Sequence, residues 1–110
     1  LKHGPLALID DQVPTVAVVP GDELTERNVA ALHEIAARHG SLVVVTHETV
    51  DLGRLPELAR VGRIDVPRNE RELDPILLTI PLQLLAYHAA LHLGHDIDKP
   101  RNLAKSVTVE

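Results

Sequence analysis

A chain of 110 residues with 45% hydrophobic content builds one domain at most, with enough apolar side chains for a core. Its 11 Lys and Arg against 16 Asp and Glu give a formal charge of −5, and no basic cluster interrupts that excess, which excludes the electropositive stripe of a nucleic-acid surface. Cysteine is absent, so there is neither a disulfide framework nor a thiolate site, and the expected location is the cytoplasm.

Val13 to Val19 is an almost continuous β-branched run, the pattern of a strand covered on both faces, with Pro14 at its start where no ladder donor is needed. Pro20-Gly21-Asp22 predicts a turn. Leu24, Val29, Leu32, Ile35 and Ala36 then recur at helical spacing up to Gly40, which is expected to close the helix in the left-handed conformation. Ser41 to His47 repeats the strand pattern, so strand, helix and strand fit a βαβ unit with parallel strands. Leu55 to Val61 is a weaker helix candidate, and Arg63 to Val66 a short third strand.

Asp74 before Pro75 reads as a cap followed by proline at the first helical position. The helix should run to His92 or Leu93 and stop at Gly94, with a kink or restart near Ile80 because Pro81 has no amide proton to give. Its apolar residues surround most of its circumference, the mark of a central buried helix. Ile76 to Leu93 falls short of the ~20 residues of a spanning helix and is broken by Thr79, Pro81, Gln83, His88 and His92, so no membrane span is expected. The fold class is α/β, a three-layer parallel sheet flanked by helices. Three strands are few for a sheet with two faces to hide, which points to further elements on the N-terminal side.

Most side chains with chemistry have a plain alternative reading. His88 and His92 share a helix face, but no carboxylate follows in a zinc-binding arrangement and His95 lies past Gly94, so a metal is not expected. His33, His39 and His47 read as surface or helix-end positions, and Asp10-Asp11 and Asp96-Ile97-Asp98 as turn and capping residues. Near the C-terminus, Lys105 stands between the small residues Ala104 and Ser106, ahead of a β-type Val107-Thr108-Val109 run. An amine attacks the keto carbon of an open-chain sugar only when neutral, which requires burial or a nearby cation to bring it from ~10.4 towards roughly 7 to 8. The plain alternative is a solvated terminal lysine. His3, beside the Gly4-Pro5 turn, is either an exposed histidine or a proton donor and acceptor near neutrality.

Three blocks, taken in order, carry a resemblance: Leu1-Lys2-His3-Gly4-Pro5-Leu6-Ala7-Leu8-Ile9-Asp10, Ile80-Pro81-Leu82-Gln83-Leu84-Leu85-Ala86-Tyr87-His88, and the closing Pro100-Arg101-Asn102-Leu103-Ala104-Lys105-Ser106-Val107-Thr108-Val109-Glu110. Together they resemble the C-terminus of the glutamine:fructose-6-phosphate aminotransferase family, the glucosamine 6-phosphate synthases. The resemblance implies that residues 1–110 are the C-terminal part of a second sugar isomerase domain, tail 96–110 included, with its N-terminal elements missing, as a chain without methionine also suggests.

It further implies that Lys105 contacts the sugar and engages its C2 carbonyl. Ala104 would admit backbone to the ligand and Val107 would close the pocket. His3 would assist ring opening in a neighbouring subunit, making a homodimer obligatory. Arg101 and Asn102 would organise the tail and the ammonia passage, although Arg101 could equally pair with Asp96 or Asp98. The implied ligands are fructose 6-phosphate and glucosamine 6-phosphate, and the implied intramolecular partners are an upstream glutaminase and first sugar isomerase domain. No metal or organic cofactor is implied. The phosphate-binding loop and the carboxylate base belong upstream of Leu1, so residues 1–110 alone should be inactive. The rivals are a non-catalytic sugar-phosphate sensor of the same fold, which needs the pocket but not the amine, and a deglycase, which would not be expected to retain the tail.

Overall fold

The computed structural model describes residues 4–57 and 59–99. Thr15–Val19 forms β1, Thr25–Ala36 α1, Leu42–His47 β2, Val61–Val66 β3 and Asp74–His92 α2, with short 3-10 turns at Pro5–Leu8 and Arg71–Leu73. The three strands form one parallel sheet in the order β1-β2-β3, with Thr15 beside Leu42 and Leu42 beside Val61.

The strands are parallel, as the βαβ reading predicted, and a helix packs on each face of the sheet, but β1 is not covered on both faces: Val16 and Val18 are exposed, because α2 crosses nearer β2 and β3. On one face Leu32, Ile35 and Ala36 of α1 pack with Val19, Leu42 and Val44, and Val50 and Leu52 of the following loop complete the cluster. On the other, Leu78 of α2 meets Val45 and Val66, with Leu77, Leu82 and Ile64 around them. Adjacent residues of a strand face opposite ways, so Val44 and Val45 bury themselves in different layers. Each such side chain contributes about 1.5–3 kcal/mol relative to exposure.

Four sequence expectations are corrected. The left-handed residue after α1 is His39, at φ 60°, and not Gly40. Gly40 is required for space instead, since a Cβ there would lie 2.7 Å from Ile9 Cγ2 and 3.2 Å from Ile35 Cγ2. No helix forms in the described residues of Leu55 to Val61, and Val61 already belongs to β3; Pro56 and the shortness of the segment leave too few residues for a nucleus that repays its entropy. Asp74 makes no capping hydrogen bond; Leu73 occupies the cap position and Asp74 is the first helical residue. Finally, α2 continues through Pro81 without a restart, and of its apolar side chains only Leu78 is buried. Ile76, Ile80, Leu84, Tyr87 and Leu91 form an exposed apolar stripe along it.

The end of α2 matches expectation. Gly94 adopts φ 74°, its N–H donates to Leu91 O at 3.0 Å, and the His95 N–H donates to Ala90 O at 2.9 Å, the paired bonds of a Schellman ending. Counted from Arg71, this segment spans 22 residues, and by length and composition it is apolar enough to cross a membrane, longer than the sequence reading allowed. Its inner face is nonetheless packed on the sheet through Leu77, Leu78 and Leu82.

His39→Gly should raise stability by about 0.5–1 kcal/mol by removing the left-handed Cβ penalty, whereas Gly40→Ala should lower it by about 1–3 kcal/mol through overpacking. Paired urea melts check the opposite signs.

Candidate functional site at the carboxyl edge of the sheet

Parallel α/β sheets hold ligands at the carboxyl ends of their strands, where loops converge and helix N-termini lie close. Here that edge is assembled from the loop after β1, the last residues of β2, and the segment joining β3 to α2. The β1 loop is knitted locally: Asp22 Oδ1 accepts from the Leu24 N–H at 2.8 Å, and Thr25 Oγ1 accepts from the Asp22 N–H at 2.9 Å while donating towards the carbonyls of Pro20 and Asp22. Thr46 is fully buried and donates to Val19 O at 2.6 Å, fixing the exit of β1 against β2.

His47 lies at the centre of this edge and is the main residue the sequence reading misplaced. It is 0% exposed, not a surface position. Its Nδ1 accepts the Gly21 N–H at 2.9 Å, and the Gly21 carbonyl accepts from Arg68 at 2.6 Å. Both backbone polar groups of that one residue, the N–H of one peptide unit and the carbonyl of the next, are therefore held from neighbouring segments. A Cβ on Gly21 would lie 2.6 Å from Arg68 Nη1 and 3.2 Å from Val50 Cγ2, so a side chain there would displace the Arg68 guanidinium and crowd Val50. On the other side of the ring, Nε2 is 3.2 Å from Asp74 Oδ1. That approach is close enough for electrostatic attraction, but it lacks hydrogen-bond alignment, and Nε2 has no hydrogen-bond partner among the described residues. The Asp74 carboxylate thus faces the histidine at the start of α2 instead of capping it. The sequence sign was its position as the last residue of an apolar run expected to be covered on both faces.

Between β1 and α2 the edge opens into a groove of about 460 Å³, with Val18, Pro20 and Asp22 on one side and Arg71, Asp74, Leu78 and Leu82 on the other. Arg71 is engaged by both oxygens of Glu23, at 2.7 and 2.8 Å. The Glu23 carboxyl is held below its ordinary range by its backbone hydrogen bond first and by Arg71 second. The groove therefore presents carboxylates and an already paired guanidinium on largely apolar walls.

His3, Arg101, Asn102, Ala104, Lys105 and Val107 lie outside the described residues. The acidic turn residues behave as expected: Asp10 Oδ1 accepts from the N–H groups of Gln12 and Val13, and Asp96 Oδ1 from those of Asp98 and Lys99. His39 is exposed at a helix end, while His33 Nε2 stands 3.0 Å from Leu52 O. Among the described residues no group of three or more His, Cys, Asp or Glu is placed to hold a metal ion.

An open parallel sheet with a helix on each face and polar residues gathered at the carboxyl edge of its strands defines an α/β domain of the open-sheet class. No family model matches the chain. Among curated proteins it is similar over its whole length to the glutamine–fructose-6-phosphate aminotransferases (isomerizing) of Legionella pneumophila strain Paris, at 52% identity over 110 residues, and of Rhizobium leguminosarum bv. viciae, at 44% over 111. The chain spans 18% of the length of each of these relatives. Among solved structures it superposes on the C-terminal domain of glucosamine-fructose-6-phosphate aminotransferase from Francisella tularensis with a TM-score of 0.76 and 41% identity, covering 90% of this chain and 27% of that one. The chain belongs to the glutamine–fructose-6-phosphate aminotransferase family, and its fold is that of the family's C-terminal isomerase domain.

The Glu23 carboxyl should titrate below an ordinary glutamate, so the stabilising pairing with Arg71 is present above the unfolded-state pKa and is lost as pH falls through the lower folded-state value. Arg71→Ala should move the titration upward, a change that carboxyl-detected NMR reads directly.

Proposed function

We propose that the chain is the closing part of the second sugar isomerase domain, residues 1–110 with tail 96–110, of a cytoplasmic, dimeric enzyme. That enzyme transfers glutamine-derived ammonia to fructose 6-phosphate and yields glucosamine 6-phosphate. The observation that carries the reading is similarity across the entire chain, including the closing Asn102-Leu103-Ala104-Lys105-Ser106-Val107-Thr108-Val109-Glu110, to aminotransferases at up to 52% identity.

In this reading the reaction divides between residues of this chain and groups elsewhere in the polypeptide. His3 protonates the ring oxygen as the anomeric hydroxyl loses its proton, opening the hemiketal to the ketone. The neutral Lys105 amine then adds to C2, and loss of water from the carbinolamine gives an imine, a better electrophile than the ketone. Ala104 keeps the backbone close to the sugar and Val107 closes over it. Arg101 and Asn102 order the tail along the route by which ammonia arrives. The carboxylate that moves a proton between C1 and C2, the phosphate cradle and the glutaminase belong to other segments, so the chain contributes the amine and the lid to a shared site. The exposed stripe of α2, from Ile76 to Leu91, is then an inner surface covered by those segments, in preference to a membrane-facing one.

Borohydride reduction of the intact polypeptide with fructose 6-phosphate should leave a sugar adduct on Lys105, located by peptide mapping. Lys105→Ala should lower turnover by at least about a hundredfold while sugar-phosphate affinity changes by less than about tenfold. Intact binding without an adduct, and without any turnover to lose, would instead identify a sugar-phosphate sensor.

A further inference from the structure

The first half of α2 is fixed on the sheet through Leu77, Leu78 and Leu82, whereas Tyr87, Leu91 and Leu93 towards its end are exposed. The direction in which the chain leaves the helix is therefore set by local hydrogen bonds, and two turns follow in direct succession. The Gly94 and His95 N–H groups donate to the Leu91 and Ala90 carbonyls at 3.0 and 2.9 Å, which bends the chain off the helix axis. Asp96 Oδ1 then accepts from the N–H groups of Asp98 and Lys99 at 2.9 and 3.1 Å, closing an Asx turn. Gly94 to Lys99 are all exposed, so side-chain packing does not hold this segment. One carboxylate orders the second turn.

We propose that Asp96 is a positioning residue for the Lys105 amine: its side chain holds residues 96–99 in the turn from which the tail departs. The proposal rests on the assignment of Lys105 as the amine that faces the sugar. Lys105 lies twelve residues beyond Leu93 but six beyond Lys99. Halving the free chain between an anchor and a reactive group raises the group's effective concentration by about threefold. Fixing the direction of departure adds to this, because it removes conformers that lead away from the site. At the other extreme, a misplacement of about 1 Å at the reacting atoms costs about a hundredfold in rate. Loss of the turn falls between these figures. The role needs an acceptor and not a charge, since an asparagine Oδ1 accepts the same two N–H groups. That separates it from an ion pair between Asp96 and Arg101, which asparagine would abolish.

Kinetics on the intact polypeptide with glutamine and fructose 6-phosphate test this, with Asp96→Ala, Asp96→Asn and Lys105→Ala compared. Asp96→Ala should lower kcat about tenfold and slow borohydride trapping of the sugar on Lys105 in proportion, while KM changes by less than about threefold. Its Tm should stay within about 2 °C of the wild type, because the substitution is at an exposed position. Asp96→Asn should recover kcat to within about threefold of the wild type. A wild-type kcat in Asp96→Ala, or an equal loss in Asp96→Asn, overturns the proposal; if Lys105→Ala still abolishes turnover, the assignment of Lys105 stands without it. Unchanged turnover in Lys105→Ala overturns both.

Discussion

β2 is the strand on which everything else is registered. It is the middle strand, hydrogen-bonded to β1 on one side and β3 on the other, and Leu42, Val44, Val45, Thr46 and His47 along it are almost completely inaccessible. Because its side chains alternate between faces, Leu42 and Val44 anchor the α1 layer, while Val45 anchors the α2 layer and His47 meets Asp74 at the start of α2. A one-residue slip would exchange these sets, driving Thr46 into the α2 layer and aiming His47 at the wrong helix. The polar C-terminal end of the strand therefore specifies register together with its apolar remainder.

That dependence explains which features could be read in advance. Uninterrupted Val-rich runs, Pro14 at a strand start and the Leu32, Ile35, Ala36 spacing reveal strands and helix directly, because backbone geometry imposes the same periods on any sequence. The stopping point at Gly94 was equally visible, since a left-handed residue there needs no tertiary partner. Gly40 and His39 were harder to separate: both follow α1 closely, and only the approach of Ile9 and Ile35 reveals that the glycine is spared a side chain while the histidine takes the unfavourable dihedral. His47 was harder still, for a histidine after Val43-Val44-Val45-Thr46 looks like a strand leaving the core. Its burial depends on Gly21, Arg68 and Asp74, which are brought in from distant parts of the chain.

The candidate chemistry was legible in a different way. Lys105 and His3 were singled out by their sequence surroundings and by resemblance, not by any periodic pattern, and they lie outside the described residues. What the described part adds is the scaffold: a sheet edge whose loop is bound at a single glycine residue, and a helix that ends in a defined turn at Gly94 shortly before the tail begins. The all-round apolar character of α2 suggested burial on several sides. Among the described residues only one side is covered, because a single sheet face can cover no more than one face of a helix.

The parallel ladders also set how this chain must fold in time. Thr15 finds its partner at Leu42 and Leu42 its partner at Val61, so neither ladder can zip from a tight turn as a hairpin does. Each demands closure of a long loop before any hydrogen bond rewards it, and both closures end on the same strand. Assembly is therefore paced by the arrival of β2, and until it docks the Val-rich strands on either side remain unpaired edges exposed to any similar strand nearby.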